Sequence, residues 1–446
     1  MLVTKANKPL PVWSCSLGCP KNRVDSEHLL GSLGVPVKSV AHMGQASMVF
    51  INTCGFIAPA VQESVRTVVE AVERIGKFKR KPLLVVAGCM VGRYGEETLR
   101  AELPEVDVWL PAKENTQWAQ KVRRALQEKN VKQFMASHDD ISGRLLSTGP
   151  SYAWLKIGEG CRHNCAFCTI PSIRGNLVSV PAEQLVAEAR QLLDQGVKEL
   201  VLVAQDLTAW GSDFSKKQDL RHLLDKLLPL SGLSWLRLLY LYPTGVTEEL
   251  LRYMSEAGPV LLPYLDIPLQ HAHPEVLARM GRPFAGNPAQ VIDRVRQHLP
   301  HAAIRTTFIV GYPGESEAQF SSLCHFVEEQ QFANMGVFAY QAEDGTRAAT
   351  LPGQIDEVTK EERKRTLMEL QADISECWLE SQVGNHLSVL VDSVNPEWPG
   401  LHNGRVWFQA PEVDGQTYVS GPNVTPGQMV DCEIVESATY DLTALA

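Results

Sequence analysis

Long hydrophobic segments are missing from this sequence of 446 residues. No apolar run approaches the roughly 20 residues that a helix needs to cross a bilayer. The first residues, MLVTKANKPLPVW, lack the apolar core of a signal peptide. We therefore expect a cytoplasmic protein rather than a membrane or exported one. Because there is no export signal, the ten cysteines indicate metal or redox chemistry rather than disulfides.

Basic residues are scarce at the C-terminal end. Residues 381–446 contain one base, Arg405, and therefore carry a net charge of −7. The whole chain carries −9, so the residues before 381 sum to only −2. Such an acidic module repels a polyanion and attracts a basic protein, although it could also be no more than a solubilising surface. The eight acids of this segment are Asp392, Glu397, Glu412, Asp414, Asp431, Glu433, Glu436 and Asp441.

Internal repeats and low-complexity tracts are also missing, and the chain is long enough for two to four domains. Its first part alternates short apolar runs with helical patterns, which predicts an open parallel α/β sheet. The predicted strands are 10–17, 46–54 and 81–89, and the predicted helices are 26–33 and 59–76. Residues 115–150 are polar and weakly periodic, and we interpret SHDDISGR (137–144) and STGP (147–150) within them as a connecting segment.

The central part repeats a strand and helix pattern six times, which predicts a partial or full TIM-type barrel. A charged helix over 356–380 follows. Short alternating strands separated by turn signals then predict a small antiparallel β-barrel. The predicted domains are 9–145, 146–378 and 379–446. The six central strands are predicted at 152–160, 198–206, 235–243, 262–270, 304–315 and 334–341.

Cys161, Cys165 and Cys168 form a CxxxCxxC motif on the loop after the first central strand. Three thiolates at this spacing can hold three irons of a [4Fe–4S] cluster and leave the fourth iron open to a ligand. The alternative is a zinc site, but zinc usually takes four ligands. The nearby candidate for the fourth, His163, lies inside the loop. The motif therefore favours an open iron–sulfur cluster.

Three further cysteines follow predicted strands of the N-terminal sheet: Cys19, Cys54 and Cys89. Ligands of open α/β sheets bind at the carboxyl edge of the strands, so these thiols are expected to meet in space. Each alone could be a small buried hydrophobe. Their shared position favours a second metal site. Cys15, upstream of Cys19, is interpreted as structural.

The triplet on a barrel loop resembles the radical S-adenosylmethionine (SAM) enzymes. The strings SLGCPKNRVDSE (16–27), NTCGFI (52–57) and AGCM (87–90) resemble the N-terminal domain of the methylthiotransferases, and the end of the chain resembles a TRAM domain. The resemblance implies two [4Fe–4S] clusters, held by Cys161, Cys165 and Cys168 and by an auxiliary set at Cys19, Cys54 and Cys89. It also implies SAM as cofactor and a low-potential electron donor.

Within that family the CPKN string after Cys19, LPYLDIPLQHA and RTTFIVGYPGE resemble the RimO type. This implies methylthiolation of the β-carbon of an aspartate in small-subunit ribosomal protein twelve, a basic substrate. The string ARMGRPFAG (278–286) departs from the family, since Gly281 replaces a basic residue and Phe284 a glycine. That departure affects the expected substrate contacts.

The resemblance also implies SAM contacts from Phe167, Gln205 and Arg305; a structural ion pair is an equal alternative for Arg305. No catalytic residue is assigned beyond the cluster ligands. His271 and His273 are expected to form hydrogen bonds rather than bind metal.

Three alternatives remain open. The nearest is a tRNA methylthiotransferase of the MiaB type, which the acidic tail disfavours because phosphate contacts need lysine and arginine. The others are a non-catalytic iron–sulfur electron-transfer protein and a zinc-dependent RNA-binding protein. No coiled-coil seam is evident, so we expect a monomer.

Overall fold

The computed structural model describes residues 9–129, 131, 143–282 and 287–446. The chain divides into two units. The N-terminal unit comprises Met1–Ser147, Gly160–Arg162 and Cys168–Asn176. The C-terminal unit comprises Thr148–Glu159, His163–Phe167 and Leu177–Ala446. The central sheet and the C-terminal barrel thus belong to one unit, and the predicted domain boundaries remain predictions. No helix in the described part of the chain combines the length and apolar character needed to span a bilayer.

A five-stranded parallel sheet with the order β2-β1-β3-β4-β5 forms the N-terminal unit. The central strands β3 and β4 are buried at every position, as expected of a sheet covered on both faces. The predicted open parallel α/β sheet is confirmed, and β2 and β5 extend it. Its strands are β1 (Leu10–Ser16), β2 (Val37–Ser39), β3 (Met48–Thr53), β4 (Leu83–Gly88) and β5 (Val108–Pro111).

The helices of this unit bury apolar side chains, except Glu96–Glu102, which has no buried residue. The weakly periodic segment 115–150 begins with a helix that was not predicted, Trp118–Glu128, whose Trp118, Val122 and Leu126 are buried. This spacing of four places all three on one face. Residues 130 and 132–142 of that segment lie outside the described residues. The helices are α1 (Pro20–Gly31), α2 (Ala58–Gly76), α3 (Cys89–Tyr94), α4 (Glu96–Glu102), α5 (Trp118–Glu128) and α6 (Ile170–Arg174).

Six parallel strands form the central sheet of the C-terminal unit, in the order β13-β12-β11-β10-β9-β6. The strands at its two ends, β6 and β13, do not pair with each other. The sheet is therefore open, which is the partial form of the predicted barrel. The strands are β6 (Tyr152–Lys156), β9 (Glu199–Val203), β10 (Trp235–Leu238), β11 (Leu261–Asp266), β12 (Ala303–Val310) and β13 (Asn334–Ala339). A small two-stranded ribbon pairs β7 (Gly158–Glu159) with β8 (Val178–Ser179).

Amphipathic helices follow the strands of this sheet. The predicted charged helix is α13, which buries Leu367 and Ile374. The helices are α7 (Ala182–Asp194), α8 (Leu220–Leu227), α9 (Glu248–Glu256), α10 (Pro274–Arg279), α11 (Ala289–His298), α12 (Glu317–Gln330) and α13 (Glu357–Glu380).

The C-terminal strands close into a five-stranded barrel with the order β14-β15-β16-β18-β17. Four of its pairs are antiparallel, as predicted, but β16 and β18 are parallel. An odd number of strands cannot alternate in direction around a closed ring, so one parallel pair is unavoidable. The strands are β14 (His386–Val394), β15 (Leu401–Arg405), β16 (Thr417–Ser420), β17 (Met429–Ser437) and β18 (Leu442–Leu445).

A buried ionic network joins this barrel to the central sheet. Arg405 of β15 bonds Glu199 of β9 at 2.5 Å and Asp392 of β14 at 2.7 Å. Glu199 also accepts from Arg237 at 2.6 Å, and its side chain is fully buried. Burial alone would raise the pKa of Glu199, but the charges of Arg237 and Arg405 outweigh it and lower the pKa. The carboxylate therefore stays ionised inside the protein.

Candidate metal centres

The strand-end cysteines meet at one edge of the N-terminal sheet. Cys19 is the residue before α1, Cys54 directly follows β3, and Cys89 begins α3 directly after β4. Gly18 approaches Cys54 so closely that a Cβ at position 18 would lie 2.9 Å from its Sγ. Charges on Cys19 and Cys54 each affect the ionisation of Cys89. The structure thus brings together the three thiols that the sequence predicts to meet.

These thiols differ in how easily they ionise. Burial would raise the pKa of Cys19, but the charges of Lys21 and Arg174 and N–H groups at the start of α1 outweigh it and lower the pKa. Burial raises the pKa of Cys54. It raises the pKa of Cys89 to about 11, although Arg174 acts in the opposite direction. Cys19 is therefore the most readily ionised of the three.

Two residues beside these thiols were missed by sequence reasoning: Asn22 and Arg174. Asn22 Nδ2 donates to the carbonyls of Leu17 at 2.9 Å and Thr53 at 3.0 Å. Arg174 Nε lies 3.2 Å from Cys89 Sγ. Asn22 belongs to the quoted CPKN string, which could have drawn attention to it. Arg174 carries no comparable signal, because it lies 85 residues from Cys89 in sequence.

The donor set of this edge fits an iron–sulfur cluster. Among the described residues, no three His, Cys, Asp or Glu side chains stand close enough to hold a single metal ion. Each cysteine of a cluster binds a different iron, so cluster ligands need not converge on one point. Three thiols beside a buried guanidinium suit an anionic iron–sulfur group.

The CxxxCxxC loop follows β7, and its three cysteines are partly buried. Cys161 and Cys168 are grouped with the N-terminal unit and Cys165 with the C-terminal unit. In the N-terminal unit, the Cys161 amide donates to the Gly175 carbonyl at 3.1 Å. In the C-terminal unit, Arg282 Nη1 lies 3.6 Å from Cys165 Sγ, and Arg282 itself is 5% exposed. Arg282 was not predicted as a site residue.

Gly281 explains one departure from the family pattern. It has a φ of +71°, and a Cβ at this position would lie 3.0 Å from the backbone carbonyl of Asn164 in the cysteine loop. The neighbouring Met280 carbonyl accepts from the Ala166 amide at 2.8 Å. A side chain at 281 would push against this loop, so the glycine here supports close backbone packing. Phe284, the other departure, lies outside the described residues.

Replacing Gly281 by alanine should destabilise the protein by about 2–3 kcal/mol, because the left-handed backbone is strained and the loop carbonyl blocks the Cβ. Gly258 is the matched control, with a φ of +79° and nothing within 4 Å of its Cβ position. Gly258→Ala should cost about 1 kcal/mol. Urea unfolding followed by tryptophan fluorescence measures both. Equal losses would show that contact with the loop is unimportant.

Gln205 follows β9, and its side chain is only partly satisfied by hydrogen bonds. Its Nε2 donates to Glu159 Oε1 at 3.2 Å, while its Oε1 is buried without a hydrogen-bond partner. An orphaned buried acceptor is unusual in a folded protein and fits a donor group of SAM. The next residue, Asp206, bonds His163 Nε2 at 2.7 Å, and that ring stacks on Tyr242.

The other two predicted SAM contacts, Phe167 and Arg305, lie in different surroundings. Phe167 is partly buried and packs against the cluster that includes Met280 and Tyr312; its contact with cofactor stays a prediction. Arg305 Nη1 bonds Asp414 Oδ1 at 2.7 Å, and Asp266 lies 3.9 Å from its Nε. The structure therefore contains the ion pair that was the alternative interpretation of Arg305. A SAM contact from Arg305 stays a prediction, and in the structure its guanidinium is held by Asp414.

His271 and His273 act as hydrogen-bond acceptors, as expected. His271 Nδ1 accepts from the His273 amide at 2.9 Å, and His273 Nδ1 accepts from the Glu275 amide at 3.3 Å at the start of α10. His271 is fully buried. Burial, with the charges of His273, Arg279 and Arg363 acting in the same direction, lowers the pKa of His271 to about 3.

Stability should therefore fall as the pH drops through the range from 6.5 to about 3. In that range the unfolded chain binds a proton at His271 that the folded protein does not. The expected loss between pH 7.5 and 5.5 is about 1.4 kcal/mol. His271→Asn keeps a hydrogen-bond acceptor but cannot titrate. Between pH 7.5 and 5.5 the unfolding free energy of this variant should therefore fall by about 1.4 kcal/mol less than that of the unsubstituted protein. If urea unfolding gives the same pH dependence of the unfolding free energy for both proteins, the prediction is contradicted.

Family models match all three parts of the chain: the Radical SAM superfamily over residues 155–327, the Uncharacterized protein family UPF0004 over 12–111, and the TRAM domain over 383–446. Among solved structures, the radical SAM methyltransferase TsrM from Kitasatospora setae is similar in fold, with a TM-score of 0.53 and 12% identity over 74% of this chain and 75% of that one. The fold and these models define a radical SAM enzyme with a TRAM domain.

Curated relatives named ribosomal protein uS12 methylthiotransferase RimO match over almost the whole chain. The one from Nitratidesulfovibrio vulgaris is 58% identical, covering 98% of this chain and 100% of the relative. The one from Oleidesulfovibrio alaskensis is 59% identical with the same coverage, and that from Aquifex aeolicus is 43% identical over 96% of this chain and 95% of its own length. The chain belongs to the RimO-type methylthiotransferase family.

Proposed function

We propose that this enzyme adds a methylthio group to the β-carbon of an aspartate in ribosomal protein uS12. The observation that carries the proposal is the identity of 58% across the full length of a relative named ribosomal protein uS12 methylthiotransferase RimO. Agreement extends through all three sequence modules, including the C-terminal barrel that would meet the substrate. A shared radical SAM domain alone would not single out a substrate.

The proposed cofactors are two [4Fe–4S] clusters and SAM. Cys161, Cys165 and Cys168 would hold one cluster, and the strand-end cysteines Cys19, Cys54 and Cys89 the other. When bound, the cofactors supply one-electron cleavage of SAM to a carbon radical and a sulfur source for the methylthio group. A low-potential electron donor is required as a partner.

The side chains around these cysteines bind and orient rather than transfer protons. Gln205 offers its orphaned Oε1 to a donor group of SAM. Arg282 donates toward Cys165 Sγ and stacks on Tyr242 with its guanidinium 4.5 Å from the ring centre, so it fixes this ligand's orientation. Cys54 and Cys89 are 9% and 4% exposed. This burial keeps water away from the sulfur chemistry.

The C-terminal barrel supports a basic protein substrate. Strand β17 exposes three acids, Asp431, Glu433 and Glu436. Asp414 is paired with Arg305, which lies outside the tail, so the tail presents less free charge than its net −7 suggests. The pairing of Asp392 with Arg405 is already included in that net charge. The exposed charge remains acidic, which favours uS12 over tRNA. Because the proposed substrate is ribosomal, the proposed location is the cytoplasm.

Mass spectrometry of a strain lacking the gene tests the substrate. The proposal predicts that uS12 loses its methylthio group and that the methylthio bases of tRNA remain. Complementation with the intact gene should restore the modification of uS12. Loss of a tRNA methylthio base with unchanged uS12 would overturn the proposal in favour of a tRNA methylthiotransferase.

A further inference from the structure

A buried arginine faces the strand-end cysteines. Arg174, the last residue of α6, is 3% exposed and lies in the N-terminal unit. Its Nη2 donates to Asn22 Oδ1 at 2.5 Å, and its Nη1 lies 3.3 Å from Asp25 Oδ2. Burying a guanidinium costs several kcal/mol unless its donors are satisfied. This arginine therefore needs each of its acceptors.

The ion pair with Asp25 does not account for the whole side chain. Arg174 Nε points at Cys89 Sγ, 3.2 Å away. A thiol is a weak hydrogen-bond acceptor, whereas an ionised or iron-bound sulfur accepts strongly from a charged donor. The charge of Arg174 also acts on Cys19 and Cys54. The geometry thus suits a negatively charged sulfur site.

Asn22 connects Arg174 to the ends of two strands. Its Nδ2 donates to the carbonyls of Leu17, just after β1, and Thr53, the last residue of β3. Its Oδ1 accepts from Arg174. Asn22 is 1% exposed, so this connection is shielded from water. The guanidinium is therefore fixed relative to the strands that carry the cysteines.

We infer that Arg174 is a positioning residue that orients Cys89 Sγ and places one positive charge beside the sulfur ligands of the strand-end site. This inference rests on the proposed function, because it assigns that site to an iron–sulfur cluster. A positive charge and a hydrogen bond at a cluster sulfur both raise the reduction potential of the cluster. Arg174 thus makes the strand-end cluster easier to reduce and slower to lose iron.

The test uses the full chain with alanine at Cys161, Cys165 and Cys168, so that only strand-end iron is present. Two variants of this parent are compared, Asp25→Asn and the double variant Asp25→Asn with Arg174→Gln. The double variant leaves no uncompensated buried charge, so folding, checked by circular dichroism, should survive. Spectroscopic redox titration gives the potential, and transfer of iron to a chelator gives the loss rate.

The two substitutions should shift the reduction potential in opposite directions. Asp25→Asn removes a negative charge and should raise the potential above that of the parent. Adding Arg174→Gln should lower the potential below that of Asp25→Asn and speed iron loss by about tenfold or more. The double variant Glu27→Gln with Arg144→Gln is the control for losing another buried ion pair of this unit. It should leave the potential of the parent unchanged.

Two results would overturn the role of Arg174 without affecting the strand-end cluster of the proposed function. In the first, the double variant matches Asp25→Asn in potential and iron loss, which makes Arg174 only a structural partner of Asp25. In the second, the double variant Glu27→Gln with Arg144→Gln lowers the potential as much as the Arg174 substitution does. A parent that binds no iron would instead overturn the strand-end cluster of the proposed function, and the role of Arg174 with it.

Discussion

Alanine at Cys161, Cys165 and Cys168 should abolish the formation of 5′-deoxyadenosine from SAM, down to the level of a protein-free control. These three thiols are the proposed ligands of the cluster whose open iron takes SAM. Anaerobically reconstituted protein should hold about eight irons, and this triple variant about four. Iron analysis and chromatography of the nucleoside products measure both effects.

The matched control is alanine at Cys19, Cys54 and Cys89. It removes the same number of thiols and should also leave about four irons. This variant should still cleave SAM but should not transfer a methylthio group, because the proposed sulfur source is gone. If it retains all the iron, the assignment of two clusters is wrong. If the Cys161, Cys165 and Cys168 variant still forms deoxyadenosine, the assignment of the SAM cluster is wrong.

Arg405→Met should lower the free energy of unfolding by about 3–5 kcal/mol, the largest stability effect that we expect. Arg405 is 3% exposed and bonds both Glu199 and Asp392. Its removal leaves Glu199, fully buried, with Arg237 as its remaining cation. Methionine fills similar space but cannot neutralise a carboxylate. Urea unfolding at neutral pH measures the loss.

Arg221→Met is the control for this prediction. Arg221 bonds Asp219 at 2.6 Å, but both side chains are about two-fifths exposed. Water screens such a pair, so its loss should cost at most about 1 kcal/mol. A change for Arg405→Met as small as that for Arg221→Met would show that the network between barrel and sheet contributes little to stability.

The positions of the strand-end cysteines could be predicted because parallel strands share one carboxyl edge. Cys54 and Cys89 directly follow strands of the N-terminal sheet, so the βα pattern was enough to bring them together. The cysteine loop after the first central strands was predictable for the same reason. The partial barrel and the charged helix also follow from hydrophobic periodicity, which is a local signal.

Contacts between distant segments were not predictable. The approach of Arg174 to Cys89 depends on α6 belonging to the N-terminal unit, which periodicity does not show. The ion-pair partner of Arg305 could not be named, because Asp414 lies 109 residues away in sequence. The parallel pair of β16 and β18 follows from closing an odd number of strands, and closure is a property of the whole barrel.

The most direct test of the central claim is mass spectrometry of uS12 after incubation with the reconstituted enzyme, SAM and a low-potential reductant. Unmodified tRNA should be present in the same reaction. The account predicts the mass gain of one methylthio group on a single aspartate of uS12 and no change in the tRNA. Unmodified uS12 beside methylthiolated tRNA would contradict it.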